Sequence, residues 1–167
     1  EFPEEYGGLG VDHVTSGVVL EALAEGDFNA AYIQLLGSLN GAILARHAAP
    51  EIAARVLPEI VSGEKLIALA LTEPQGGSDA ANLQLKAARE GDVYVLDGEK
   101  TSISMADQAD WAVVFARTGT KEQRAHGVSA FLVDMKSEGI STTRFNDIGE
   151  HAIGRGSIFF DRVTVPA

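Results

Sequence analysis

Two stretches of the chain concentrate residue types that can hold a polar ligand. The first is Leu69-Ala-Leu-Thr-Glu-Pro-Gln-Gly-Gly-Ser-Asp79. A strand-like run ends at Thr72. Gly76 and Gly77 then free the loop to turn successive N–H groups toward one point, as in an anion-binding nest. Ser78 adds a hydroxyl donor. The same residues also suit a tight turn in which Ser78 and Asp79 cap the next element of the chain, and residue types alone leave both readings open. The second stretch is Asp97-Gly-Glu-Lys-Thr-Ser-Ile-Ser-Met105. Strand alternation predicts Ser102 and Ser104 on one face. Two hydroxyls there can meet a polar heterocycle or simply line a solvated strand. A third stretch, from Gly149 to Pro166, carries Phe160, Val163 and Val165, which read as core strand with no chemistry of their own.

Several other chemistries find no support. There are no cysteines, hence no disulfide framework and no thiol nucleophile. The four histidines, His13, His47, His126 and His151, are scattered, and no two have metal-ligand spacing. No metal site is expected. No Ser/His/Asp order with supporting motifs is present, and no pair of carboxylates for glycoside chemistry stands out among the 24 acidic residues. No Gly-x-Gly-x-x-Gly follows a strand, which argues against a Rossmann dinucleotide site.

The elements that must position these stretches change character near residue 65. Before it, the chain reads as helical. Asp12 is a candidate N-cap for a helix carrying Val14, Val18, Leu20, Leu23 and Ala24, with Gly26 as its stop. Asp27 or Asn29 can cap a second helix with Ile33, Leu36, Ile43 and Leu44. Gly37 and Gly41 within it suggest close packing against a neighbour. A third helix starts near Pro50 with Ile52, Val56 and Ile60 on one side. Pro58 is expected to kink or shorten it, and Ser62-Gly63-Glu64 to end it. From Leu66 onward, short runs rich in Val, Ile and Phe predict about six strands: 66–71, 86–90, 93–96, 112–116, 128–133 and 157–165. Gly91-Asp92 makes a hairpin turn between two of them, and 118–126 forms a polar loop. The expected fold is α+β: a helical domain, residues 1–65, then a small antiparallel β-barrel or sandwich domain, residues 66–167.

Composition narrows the partners. The chain has 167 residues, 46% hydrophobic and 22% charged, and a formal net charge of −11. An excess of acid argues against binding nucleic acid or an anionic membrane surface. No apolar run approaches the ~18 residues of a membrane-spanning helix. The start at Glu1-Phe2-Pro3, without a Met, reads as a cut end.

Taken in order, five segments resemble the acyl-CoA dehydrogenase family. Pro3-Glu-Glu-Tyr-Gly-Gly-Leu-Gly10 is similar to its Pro-Glu-x-Tyr-Gly-Gly-x-Gly element. Leu71-Thr-Glu-Pro-Gln-Gly-Gly-Ser-Asp79 is similar to its Thr-Glu-Pro-x-x-Gly-Ser-Asp loop, and Gly98-Glu-Lys-Thr-Ser-Ile-Ser104 to its Gly-x-Lys-x-x-Ile-Thr strand. Ala109-Asp110-Trp111 with Ala116-Arg117-Thr118, and Phe160-Asp-Arg-Val-Thr-Val-Pro166, complete the series. The resemblance implies a helical N-terminal domain and a middle β domain, with the family's C-terminal four-helix bundle outside this chain. In the family that bundle carries the glutamate that removes the α-proton, so no catalytic base is assigned here and the 167 residues by themselves are expected to be inactive. The implied activity is FAD-dependent α,β-dehydrogenation of an acyl-CoA thioester to the 2-enoyl-CoA, with hydride passing to flavin N5 and electrons leaving to an electron-transfer flavoprotein. The implied cofactor contacts are the backbone around Leu69, Leu71 and Thr72, the Thr72 hydroxyl, Ser78 at the FAD pyrophosphate and near the CoA arm, and Ser104 near N5. Ser102 stands where the family usually has a large aromatic beside the flavin, which opens room for a bulkier or cyclic acyl group. Met105 replaces a common Asn, and Ile153-Gly154-Arg155 a frequent Ser-Asp-Thr. A homodimer or homotetramer of the complete enzyme is implied, in the bacterial cytoplasm or, in a eukaryote, the mitochondrial matrix. Two other outcomes stay open: an acyl-CoA oxidase or flavin-dependent monooxygenase on the same fold, and a non-catalytic binding module.

Overall fold

The computed structural model describes residues 1–149 and 151–167. The chain divides into two compact units, Glu1–Ile67 and Ala68–Ala167.

The first unit is helical. Its helices are α1 (His13–Gly26), α2 (Phe28–His47) and α3 (Pro50–Val61), preceded by a short 3-10 turn at Glu4–Tyr6. Local signals set their ends. The Asp12 carboxylate accepts the Thr15 N–H at 2.7 Å, and that of Asp27 accepts the Asn29 N–H at 2.8 Å. Pro50 occupies the first turn of α3, where its missing N–H costs nothing. The helix also runs through Pro58 to Val61, with no break at the proline. Proline lacks one N–H and forfeits one intrahelical bond, and only three helical residues follow it. Gly41 gives the close approach expected of it: a Cβ there would lie 1.9 Å from Phe2 Cε1. Gly37 shows only ordinary contact with Ile60. Leu36, Leu44, Val56, Leu57 and Ile60 form this unit's core, each contributing about 1.5–3 kcal/mol on burial. The apolar row that marks α1 lies outside that core, with Val14 77% and Val18 61% exposed.

The second unit is one curled sheet of seven strands: β1 (Ile67–Ala70), β2 (Lys86–Glu90), β3 (Val93–Ser104), β4 (Trp111–Arg117), β5 (Val128–Asp134), β6 (Ile140–Thr142) and β7 (Arg155–Pro166). The order is β1-β4-β2-β3-β7-β6, with β5 along β4. β2 and β3 form the hairpin predicted at Gly91-Asp92, where Gly91 takes φ +66°. Pairings β2–β3, β3–β7, β4–β5 and β6–β7 are antiparallel, while β2 meets β4 in parallel at Lys86–Arg117. The one strand outside the six expected, β6, is three residues long and gives no periodic signal.

Two bulges shape the long β3–β7 ladder. Register shifts by one residue between Leu96 and Gly98 and again between Lys100 and Ile103. Arg162, at φ +52°, supplies the extra residue of the first. This explains how Phe160 and Val163, three apart, are both buried. Ser102, at φ +55°, lies within the second.

Candidate functional site

The constellation begins where β1 runs out. Leu69 is half-buried in β1, and Leu71 and Thr72 follow it, also half-buried. The Thr72 carbonyl accepts the Thr101 N–H at 2.9 Å, which joins the Thr72 loop to β3 just before Ser102. Glu73 and Gly76 then bond each other in both directions, at 3.1 and 3.0 Å, closing the turn around Pro74-Gln75. Gly77 folds back on the Thr72 side chain: a Cβ there would meet Thr72 Cγ2 at 3.3 Å. The exposed Ser78 comes next in the chain. A recess at this turn is lined by Leu71, Gln75, Gly76, Gly77, Asp79 and Leu83 among others.

The second bulge changes the expected placement of the two serines. Simple alternation puts Ser102 and Ser104 on one face. With one residue inserted, Ile103 instead takes up the register of Lys100, and Ser104 pairs with Arg155 on the face of Glu99 and Phe159. Ser102 is exposed at the bulge, whereas Ser104 is buried at 9%. The segments are thus brought together, but through the backbone of the bulge and not by a shared strand face. The face that carries Ser104 is polar. Ser157 Oγ is 2.9 Å from Glu99 Oε1 and 3.0 Å from Thr101 Oγ1. Arg155, across from Ser104, pairs with Asp147 at 3.3 Å. Met105 also sits at positive φ (+61°) and is buried.

Two groups that hold this constellation lie within the motif segments but take no role from the sequence alone. One is a buried ion pair. Lys100 Nζ lies 2.7 Å from Glu73 Oε1, with side-chain exposures of 0% and 2%. Lys100 also donates to the Leu71 carbonyl at 3.0 Å. The Glu73 carboxylate accepts the Leu85 N–H at 2.9 Å, the Gln84 N–H at 2.6 Å and a Gln75 side-chain N–H. Burying two charges costs several kcal/mol per ion and is tolerated only when hydrogen bonds complete the pair. Here they do. Burial pushes the Glu73 carboxyl up, but the Lys100 ammonium and the Leu85 and Gln84 N–H groups outweigh it, and the net direction is down. Burial pulls Lys100 below the ordinary lysine value, with Glu73 opposing.

The other is Arg117, the last residue of β4. Its guanidinium donates to the carbonyls of Leu83 (3.2 Å), Ala81 (2.7 Å), Arg124 (2.8 Å) and Thr120 (3.3 Å). It therefore ties the 3-10 turn after Asp79 to the 3-10 loop Lys121–Gly127. That loop, expected to be polar, carries a capping box between Thr120 and Gln123.

Among the described residues, no group of three or more His, Cys, Asp or Glu side chains is placed to hold a metal ion, and no helix is long and apolar enough to cross a membrane. The polar groups that the two stretches bring near one another are the hydroxyls of Thr72, Ser78, Ser102 and Ser104 and the backbone N–H groups beside them. Donors of this kind fit the carbonyl and ring-nitrogen acceptors of a flavin, whereas the glycine loop forms no anion nest: neither Gly76 nor Gly77 has positive φ, and the Gly76 N–H is taken by the Glu73 carbonyl.

Known proteins share this sequence and fold. A family model described as "Acyl-CoA dehydrogenase, middle domain" matches residues 68–163, and one described as "Acyl-CoA dehydrogenase, N-terminal domain" matches residues 1–64. Subunit CarC of the caffeyl-CoA reductase–Etf complex of Acetobacterium woodii is 36% identical over 99% of this chain and 44% of its own length. A 3-(aryl)acrylate reductase of Clostridium sporogenes is 38% identical over 84% of this chain and 37% of its own. The crystal structure of a glutaryl-CoA dehydrogenase from Mycobacterium smegmatis in complex with FADH2 superposes with a TM-score of 0.88 at 27% identity, over 97% of this chain and 41% of that one. The chain spans about two-fifths of the length of these relatives. With both family models matching in order and along almost its whole length, the chain belongs to the acyl-CoA dehydrogenase family.

Proposed function

We propose that this chain forms the flavin-facing part of an FAD-dependent acyl-CoA dehydrogenase. The observation that carries the reading is the Thr101 N–H to Thr72 carbonyl bond, which fastens the two donor-bearing segments to each other. In this reading the backbone around Leu69, Leu71 and Thr72, with the Thr72 hydroxyl, holds the pyrimidine side of the flavin. Ser78 meets the pyrophosphate and lies near the thioester arm of CoA. Ser104 donates near N5, and Ser102 lies beside the ring. Bound FAD supplies the acceptor for the hydride leaving the β-carbon as a base removes the α-proton, which gives the 2-enoyl-CoA. The residues of this chain orient the flavin and thioester; none of them is assigned as that base. Electrons pass on to an electron-transfer flavoprotein, and the complete protein is a homodimer or homotetramer.

A second reading concerns direction and acyl group. Ser102 is small, exposed and set in a left-handed bulge, and two of the relatives are named for reduction of aryl-substituted substrates. The same two-electron chemistry run in reverse would saturate an aryl-substituted enoyl thioester, with Ser102 leaving space for the aryl group.

The test is a visible spectrum of the full-length protein under anaerobic conditions. A flavin band bleached by one saturated acyl-CoA is the result expected of a dehydrogenase. Reoxidation of the dithionite-reduced flavin by an arylacrylyl-CoA, with no bleaching by its saturated partner, would favour the reductive direction. A flavin that neither pair affects would overturn both in favour of oxygen chemistry. Absence of flavin after FAD is added would leave a binding module. The role of Ser102 has its own check. Ser102→Phe is expected to lower kcat/KM for aryl or branched substrates about 10- to 100-fold, the scale of a steric mismatch in a pocket, and to change short straight-chain substrates little. An equal change across acyl sizes would remove Ser102 from the pocket.

A further inference from the structure

We propose that Lys100 is a positioning residue for the flavin, acting through the Leu71–Thr72 peptide; the inference rests on the FAD reading above. The Leu71 carbonyl and the Thr72 N–H belong to one trans peptide, so they point in opposite directions. Lys100 Nζ holds that carbonyl at 3.0 Å from a side chain with no exposed surface. The Thr72 N–H is thereby aimed away from the buried ammonium. Among the described residues no hydrogen bond engages that N–H, while the carbonyls on both sides of it are taken.

The next peptide is fixed as well. Its carbonyl, on Thr72, accepts the Thr101 N–H at 2.9 Å, and its N–H, on Glu73, donates to Gly76 at 3.1 Å. Thr72 thus sits between two anchored peptide planes, and its backbone dihedrals are set from both sides. Lys100 and Thr101 are consecutive, so one short piece of β3 sets both planes. Glu73 in turn holds Lys100 in place. Its carboxylate is itself located by the Gln84 and Leu85 N–H groups, which belong to the segment leading into β2. The chain of support therefore runs from the β2 segment through Glu73 and Lys100 to a single outward N–H. An apolar side chain of similar volume at position 100 would fill the same space but could not hold the Leu71 carbonyl.

Three variants of the full-length protein separate positioning from stability. Lys100→Met removes the anchor and breaks the ion pair. Glu73→Gln breaks the ion pair but leaves an amine on the Leu71 carbonyl. The double variant Glu73→Gln/Lys100→Met removes both charges and the anchor. FAD dissociation constants, the position of the visible flavin band and the flavin reduction potential are measured beside the urea unfolding midpoint of each. The expected result is an FAD affinity about 3- to 10-fold weaker, the factor for one misplaced hydrogen bond. A moved band and a changed potential should accompany it in Lys100→Met and the double variant. Glu73→Gln, whose amide oxygen still accepts from Lys100, should disturb the flavin properties less than Lys100→Met or the double variant despite its lower midpoint. FAD affinity that tracks the unfolding midpoint across all three variants would overturn the proposal and leave the pair as structural support. Wild-type protein that binds FAD, with flavin properties unchanged in every variant, would overturn this proposal alone. Wild-type protein that takes up no FAD would overturn the flavin reading and this inference with it.

Discussion

Glu73→Leu is expected to lower the unfolding free energy by about 3–5 kcal/mol, the usual cost of removing one member of a buried ion pair. The substitution would leave the Lys100 ammonium with the Leu71 carbonyl as its only partner among the described residues. It would also strip the Gln84 and Leu85 N–H groups of their acceptor, and an orphaned buried N–H, here that of Leu85, costs roughly 1–3 kcal/mol. Leucine fills the space and adds apolar contact, but it repairs none of these losses. Urea unfolding followed by fluorescence of Trp111, the single tryptophan and part of β4, reads the β unit directly. A loss below about 1 kcal/mol, the range of an exposed pair, would mean that the pair contributes little to stability.

The same substitution should change the acid limb of stability. Glu73 has a lowered carboxyl pKa in the folded protein. The unfolded chain, at about 4.3 for a free Glu, therefore takes up its proton first as pH falls. The contribution of Glu73 is complete above that unfolded value and is lost as pH drops through the lower folded value. Wild-type stability should thus decline toward acid more steeply than that of Glu73→Leu, and the two curves should converge. Parallel acid limbs would show that Glu73 binds protons alike in both states.

How much of this architecture is legible in the sequence depends on the range of the forces involved. The α1 and α2 starts are legible because Asp12 and Asp27 act on N–H groups two or three residues away. The β2–β3 hairpin is legible because Gly91-Asp92 encodes its own turn. Pro58 misleads: its steric rule is local, but the cost is small so near the end of α3. The bulges at Ser102 and Arg162 are invisible for the opposite reason. They are register decisions between β3 and β7, strands some 50 residues apart, and Ser102 carries no glycine to announce a positive φ. The shared-face expectation for Ser102 and Ser104 fails on that account. Lys100 and Glu73 lie 27 residues apart in two different motif segments, and nothing local in either segment pairs them. Only the fold turns them into a buried pair. Thr72 and Ser78 are legible as motif members, yet the loop geometry that brings Gly77 over Thr72 comes from the Glu73–Gly76 turn, which residue types leave undecided.

Gly156→Val is the second large effect, and it links stability to the site. Gly156 lies buried in β7 opposite Ile103, the residue between the Ser102 bulge and Ser104. A Cβ at Gly156 would fall 1.7 Å from the Thr143 carbonyl oxygen and 2.8 Å from its carbon. Both are backbone atoms, so no rotamer change relieves the clash. The chain at 143–145 crosses this point while bonded to β7 on either side: the Thr143 N–H donates to Ser157 at 3.0 Å and the Phe145 N–H to Arg155 at 2.7 Å. Valine must push this segment off β7 or bend β7 toward Ile103. Overpacking of this kind costs about 1–3 kcal/mol, and more where backbone must move. The expected result is a loss of about 3 kcal/mol in urea, with faster amide exchange at Thr143 and Phe145. If β7 bends instead, Ser104 moves with Ile103, and bound FAD should dissociate faster while those two amides stay protected. Gly76→Ala is the control. Its Cβ would meet nothing within 4 Å, and it should fall within about 0.5 kcal/mol of wild type. Equal stabilities for the two variants would mean that the 143–145 crossing yields without cost, and that the Ser102 bulge is held by β3 and the Thr72 loop alone.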